Sequence, residues 1–187
     1  MDIISISWGI DSDSTPIRSA LTRAVDSDVI VLASASNNGL NDPIPFPANN
    51  IGPPVFCIGS ADSTGRRSNY SPVAKGVEKF SVVGEGVVGA SISNRGTARI
   101  NGTSTATPVA AGIASLLIAY TRQFDPSNDA AHYDRMRKLF LAMSRDSKGR
   151  SYRFLAPWSL FELGDESQRR TLFKSIISGP PSMSLNY

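Results

Sequence analysis

The sequence has one cysteine and one histidine among 187 residues, so it is poor in the side chains that build disulfides and metal centres. The single cysteine, Cys57, excludes a disulfide within the chain, and it falls in the apolar run 55–58, which is typical of a buried strand. We therefore expect Cys57 to be a core residue rather than a nucleophile. No acidic cluster supplies the oxygen ligands of a calcium cage, and the sequence predicts neither a metal site nor a cofactor.

The sequence also lacks a basic stripe and an uninterrupted apolar run long enough to span a membrane. Its 19 Lys and Arg against 16 Asp and Glu give a formal net charge of +3, and the basic residues do not interleave with aromatic ones. These patterns predict no nucleic-acid partner and no membrane partner. Met1 is followed at once by a strand pattern rather than a secretory leader, so the chain as given is expected to be intracellular or to lack its true N-terminus.

What the sequence does contain is an alternation of strand and helix patterns. Residues 2–8 are β-branched, and a helix from about 16 to 26 follows the N-terminal signal Ser14-Thr15-Pro16. The continuous apolar run 28–35 is typical of a parallel strand buried on both faces. Further strands are predicted at 54–59 and 79–83. This order predicts an α/β fold with a mainly parallel sheet.

The second half of the sequence is helical. Residues 102–120 are apolar nearly all round, which predicts a helix buried in the middle of the domain. Beyond residue 120 the composition shifts to charged, amphipathic segments at roughly 129–145 and 158–177. The sequence therefore predicts an α/β domain over residues 1–120 and a helical C-terminal extension over residues 121–187.

A serine at the start of the buried helix is the first candidate for chemistry. Ser104 follows Gly102, which lets another chain approach closely, and backbone N–H groups at a helix start are unpaired and favour negative charge. Such a serine could be a nucleophile if a base accepts its proton, and it could equally be a helix cap.

An asparagine beyond the second strand is the other candidate. Asn37 comes just after the C-terminal end of the run 28–35, the edge at which ligands bind in open α/β sheets. Its amide could donate to an oxyanion formed on a carbonyl that Ser104 attacks, or it could simply be a turn residue.

Together, these segments resemble the subtilisin family of serine peptidases. The run 101–112 is similar to the family motif Asn-Gly-Thr-Ser-Met-Ala-Ser-Pro-His-Val-Ala-Gly, and residues 33–37 are similar to the strand ending in Ala-Ala-Gly-Asn. The likeness extends over residues 1 to about 120, in family order, through Ile4–Gly9, Phe46-Pro47-Ala48 and Ser68–Ser71.

The resemblance implies a three-layer, subtilisin-like fold, here truncated at its N-terminus, and a serine endopeptidase acting on polypeptides without a cofactor. It implies that Ser104 forms the acyl-enzyme and that Asn37 is the side-chain oxyanion donor. The residues it implies for substrate binding are Ser7, Trp8, Gly9, Ser34, Ala35, Ser36, Gly102 and Thr103. Ser36 replaces the family's glycine before the asparagine, so its side chain is expected to crowd a bound peptide.

The other two triad members of the family precede the first strand seen here. The only histidine, His132, follows the serine helix and is expected at a surface helix position, while Asp11 and Asp13 match neither triad motif. The isolated chain should then be nearly inactive, with aspartate and histidine supplied by an upstream segment of the same protein.

Two other hypotheses remain open. The first is a non-catalytic module that binds peptides without cutting them. The second is a sedolisin-type peptidase, suggested by Thr107-Pro108, although that group has aspartate where Asn37 stands. Activity measured against pH separates the sedolisin hypothesis, because such an enzyme should be most active in acid.

Overall fold

The computed structural model describes residues 1–39, 42–49, 51–73, 78–91, 96–146 and 152–179. Its strands are β1 (Ile3–Ile6), β2 (Ile30–Ser34), β3 (Phe56–Ala61), β4 (Lys79–Val83), β5 (Val87–Ala90), β6 (Thr97–Ile100), β7 (Ser144–Asp146) and β8 (Arg153–Leu155). Its α-helices are α1 (Thr15–Asp26), α2 (Thr103–Arg122), α3 (Tyr133–Met143), α4 (Trp158–Phe161) and α5 (Glu166–Ser178), with a 3₁₀ turn at Pro126–Asn128.

The main sheet has the strand order β1-β2-β3-β4-β8-β7. Strands β1, β2, β3, β4 and β8 are parallel to one another. Strand β7 pairs antiparallel with β8. Strands β5 and β6 form a separate antiparallel hairpin before α2. The predicted α/β class with a mainly parallel sheet is therefore confirmed.

Helices cover both faces of the sheet because successive side chains of a strand point to opposite sides. In β2, Ile30 and Leu32 face the core formed with α2 and α3, whereas Val31 and Ala33 face the core that contains Leu21 of α1. Every residue of β2 is buried, which explains its continuous apolar sequence. By length and composition alone α2 would qualify as a membrane span, as buried core helices also do, and in this fold it packs on the sheet.

Cys57 lies in the middle of β3 and is fully buried, as expected of a core residue. Burial raises the pKa of its thiol to about 12, so the sulfur is un-ionised at neutral pH. This environment gives the cysteine no nucleophilic character.

Residues beyond position 120 pack on the same core. Strands β8 and β7 extend the main sheet, and the Phe140 ring of α3 packs at a steep angle against the rings of Phe56 and Phe80. The predicted helical extension thus contributes strands as well as helices, and up to residue 179 it shares the sheet and the core of the first 120 residues. Its end, residues 180–187, lies outside the described part of the chain.

Candidate active site

The start of α2 is shaped by Gly102. Its φ of 154° is one that side-chain-bearing residues rarely adopt, and a Cβ at this position would lie 3.2 Å from Asn37 Nδ2. The Gly102 N–H donates to the Gly84 carbonyl over 2.9 Å, which anchors the helix start on the residue that follows β4. Ser104 then falls in the first helical turn and is exposed.

Asn37 is bound directly to this helix start. Its Oδ1 accepts the Thr103 N–H at 2.8 Å and lies 3.0 Å from the Thr103 hydroxyl, which also lies 3.2 Å from the Ser36 carbonyl. Because the amide oxygen is held by Thr103, the amide NH₂ group must face away from that bond. The Asn37 NH₂ group therefore lies beside Gly102, and Asn37 and Ser104 line the same cleft.

The end of β1 is tied to Ser104 by a reciprocal pair of hydrogen bonds. The Ser7 hydroxyl donates to the Ser104 carbonyl at 2.9 Å, and the Ser104 hydroxyl donates to the Ser7 carbonyl at 3.2 Å. Pro108 explains why the Ser104 carbonyl is available. A helical carbonyl normally accepts from the N–H four residues later, and proline has none.

A buried hydroxyl cluster supports the turn beneath the helix start. The Ser60 hydroxyl lies 2.8 Å from both the Tyr70 and Ser68 hydroxyls, and the Ser71 hydroxyl accepts the Ser60 N–H at 3.0 Å. The Tyr70 hydroxyl lies 3.3 Å from the Gly84 carbonyl, the same carbonyl that accepts from Gly102. The turn at residues 68–71 is thus linked to the start of α2 through hydrogen bonds that meet at the Gly84 carbonyl.

One cleft collects most of the predicted site residues. Ser7, Trp8, Gly9, Ser34, Ser36, Asn37, Thr103 and Ser104 line it together. Ala35 is completely buried behind it, and Gly102 is buried under the helix start, so neither lines the cleft.

Four further residues line the cleft that the sequence did not single out: Asp11, Asn38, Pro43 and Pro45. The two prolines belong to the proline-rich loop before β3, so their presence was visible in the sequence. Their position depends on how that loop folds back onto residues 9–10.

Ser36 adopts a left-handed backbone conformation with φ of 93°. Its hydroxyl accepts the Asn38 N–H at 3.2 Å. The conformation is one that glycine adopts without strain, which gives a physical reason for the glycine in the family motif.

His132 and Asp13 take roles away from the cleft, whereas Asp11 lines it. The imidazole Nδ1 of His132 accepts the Asp134 N–H at 3.2 Å and caps α3, while its Nε2 lies 3.9 Å from Asp28. Asp28 precedes β2 and Asn37 follows it. His132 therefore lies near the end of the sheet at which β2 begins, whereas Ser104 lies near the end at which β2 finishes. Asp13 pairs with Arg18 on α1.

Comparison with known proteins identifies the family to which this chain belongs. The family model described as the subtilase family matches residues 1–153. Alkaline elastase YaB from Bacillus sp. (strain YaB) is 32% identical over 128 residues, which are 68% of this chain and 31% of that protein. Subtilisin DY from Bacillus licheniformis is 34% identical over 124 residues, 64% of this chain and 43% of its own length.

A solved protease structure has a similar fold. The protease domain of PatA, in a mutant form, matches with a TM-score of 0.72 and 26% identity, over 93% of this chain and 60% of that one. The chain therefore spans 31% and 43% of the two curated relatives above and 60% of the PatA domain.

Proposed function

Because this chain belongs to the subtilase family, whose general chemistry is peptide hydrolysis, we propose that it carries the nucleophile and the side-chain oxyanion donor of a serine endopeptidase. Ser104 is the nucleophile and Asn37 is the donor. The observation that carries the proposal is the pair of contacts from Thr103 to Asn37 Oδ1, which set the amide beside Ser104.

The proposed reaction uses this arrangement in order. The Ser104 oxygen attacks the carbonyl carbon of a peptide bond while its proton passes to a base, and the carbonyl oxygen becomes an oxyanion. The Asn37 amide and the Ser104 N–H donate to that oxygen, while the Thr103 N–H holds the Asn37 side chain. Collapse of the intermediate expels the amine with the transferred proton and leaves an acyl-Ser104, which water hydrolyses.

No histidine is among the described residues that line the cleft, and the Ser104 hydroxyl does not donate to Asp11, the carboxylate that lines it. The Ser104 hydroxyl donates to the Ser7 carbonyl, which cannot take a proton at neutral pH. His132 caps α3 near the end of the sheet at which β2 begins, away from Ser104. In this proposal the histidine and its aspartate partner are supplied by a segment of the same protein upstream of β1.

An open face beside Ser104 supports that upstream segment. Among the described strands β1 pairs only with β2, so the backbone groups of its other edge are unpaired within the main sheet. Helix α2 exposes a stripe that begins at Ser104 and continues through Pro108, Val109, Gly112, Ser115, Leu116 and Ala119. A surface helix normally exposes charged and polar residues, whereas this stripe contains no charged residue, which is typical of a surface that packs against further chain.

In the described part of the chain no histidine lines the cleft, and the Ser104 hydroxyl donates to a carbonyl. These two observations also favour a second candidate, a module that binds peptides in this cleft without cutting them. It would keep Asn37, Ser7 and the cleft, and it would need no upstream histidine.

Labelling with a fluorophosphonate separates the two candidates. The 187-residue chain and the protein made from its complete reading frame are each incubated with the probe, and labelled Ser104 is measured by intact mass. We expect stoichiometric labelling of the complete protein and little labelling of the 187-residue chain, because proton removal needs the base.

Ser104→Ala is the matched control and should abolish labelling without unfolding the chain, since Ser104 is exposed. A complete protein that folds but leaves Ser104 unlabelled would contradict the protease proposal and favour the binding module. A reading frame without aspartate and histidine motifs before β1 would do the same.

A further inference from the structure

The cleft beside Ser104 is small for a site that holds a peptide side chain. Its volume is about 180 Å³. Sites for small molecules are commonly about 300 Å³ or larger. Asn37, Thr103 and Ser104 line the same space, so part of it must hold the substrate carbonyl. Little volume then remains for the side chain that precedes the cut.

Pro45 lines this space. A Cβ at Gly9 would lie 2.5 Å from Pro45 Cγ and 2.8 Å from Pro45 Cβ, so the proline ring packs directly on the Gly9 backbone. Residues of the segments 7–9 and 34–36 line the same cleft as Pro45, so the proline ring takes up space in that cleft against the wall formed by Gly9.

The loop that carries Pro45 is fixed in place. The N–H groups of Ile10 and Phe46 donate to each other's carbonyls, both at 3.0 Å, which makes a short antiparallel bridge. Ile44 and Phe46, on either side of Pro45, are 4% and 2% exposed and pack in the core under α1. Moving Pro45 aside would require pulling these two side chains out of that core.

The walls are also polar. Ser36, Asn38 and Asp11 contribute a hydroxyl, an amide and a carboxylate to the cleft. A large aromatic side chain would remove these groups from water without giving them hydrogen-bond partners, which is unfavourable. A methyl group, a hydroxymethyl group or a hydrogen atom fits without that penalty.

We propose that this cleft selects a small residue, alanine, serine or glycine, at the position whose carbonyl Ser104 faces, and excludes aromatic residues there. The inference rests on the proposed function, because it takes the substrate carbonyl to be presented to Ser104 and Asn37. The residues on which the proposed selection depends all belong to the part of the chain that the structure describes.

Binding of two synthetic peptides tests the proposal without requiring catalysis. The peptides are identical, end in a free carboxylate, and differ only in their last residue, alanine or phenylalanine. Affinities for the 187-residue chain are measured by calorimetry. We expect the alanine peptide to bind at least about tenfold more tightly, since pocket fit is commonly worth this much per methylene-sized change.

Pro45→Gly should reduce this preference at least about tenfold by raising the affinity for the phenylalanine peptide. Pro126→Gly, at an exposed proline far along the chain, is the matched control and should leave the preference unchanged. Pro45→Ala is the second variant if circular dichroism shows that the glycine variant is unfolded.

Equal wild-type affinities, no binding of either peptide, or a preference unaffected at Pro45 would each overturn the size selection. Fluorophosphonate labelling reports separately on the proposed function. Labelled Ser104 with a preference for phenylalanine overturns the size selection alone. Unlabelled Ser104 with a preference for alanine overturns catalysis alone.

Discussion

Ser36 stands between the end of β2 and the asparagine that is proposed to hold the oxyanion. A left-handed conformation costs a side-chain-bearing residue about 1–2 kcal/mol relative to glycine. The φ of 93° therefore stores strain next to the site, partly offset by the hydrogen bond from Asn38 to the Ser36 hydroxyl. Backbone strain of this kind is common at sites where a side chain must be aimed.

Replacing Ser36 with glycine should relieve that strain. Glycine also loses more entropy on folding, by about 0.5–1 kcal/mol. The strain is the larger effect, so we expect Ser36→Gly to raise the free energy of unfolding by about 0.5 kcal/mol. Urea denaturation measures the change.

Ser19→Gly is the matched control for this substitution. Ser19 is exposed in α1, where its backbone is helical, so glycine should lower stability by about 0.5 kcal/mol. A destabilised Ser36→Gly variant would contradict the account of strain at Ser36.

At the scale of elements, β1 and α2 are joined through a helix defect. Pro108 removes the N–H that would bind the Ser104 carbonyl, and the Ser7 hydroxyl from the end of β1 donates there instead. The bond therefore fixes β1 against the first turn of α2, which positions Ser104 relative to the cleft wall.

A double-mutant cycle on Ser7 and Pro108 tests this exchange. Ser7→Ala should lower the free energy of unfolding by about 0.5–1.5 kcal/mol in the wild-type background, because the Ser104 carbonyl loses its donor. In a Pro108→Ala background the helix supplies that donor, and the same substitution should cost clearly less. Urea denaturation of the four proteins gives the coupling, and additive costs would contradict the exchange.

The sequence predicted the elements whose patterns are local. β4 was predicted at 79–83 and is found there, and the long apolar run of α2 was also recognised. The short strands β7 and β8 and the hairpin β5–β6 were not predicted, because they lack a longer β-branched or apolar run such as the one at residues 2–8 that indicated β1. These strands exist because longer-range pairing holds them.

The candidate site was predictable where a contiguous motif carries it and unpredictable where tertiary contacts build it. Ser104 and Asn37 came from such motifs, and the structure brings both to one cleft. Pro45 has no motif, because its role depends on the bridge between Ile10 and Phe46. The division at residue 120 followed a change in composition, whereas the sheet runs through it.

On the scale of the whole molecule, the face formed by the β1 edge and the α2 stripe decides whether the chain works alone or as part of a larger domain. Leu116 and Leu117 are neighbours on α2, 67% and 0% exposed respectively. If an upstream segment covers this face, Leu116 becomes a core residue and Leu117 remains one.

Leucine-to-alanine substitutions at Leu116 and Leu117 test whether an upstream segment buries Leu116. In the 187-residue chain, Leu116→Ala should change the free energy of unfolding by no more than about 0.5 kcal/mol, whereas Leu117→Ala should cost about 2–5 kcal/mol. In the protein made from the complete reading frame, both should cost about 2–5 kcal/mol, because burying Leu116 makes its truncation leave a cavity. Urea denaturation of both proteins measures these costs. A Leu116→Ala variant that stays neutral in the longer protein would show that the face remains open and that the base does not arrive across it.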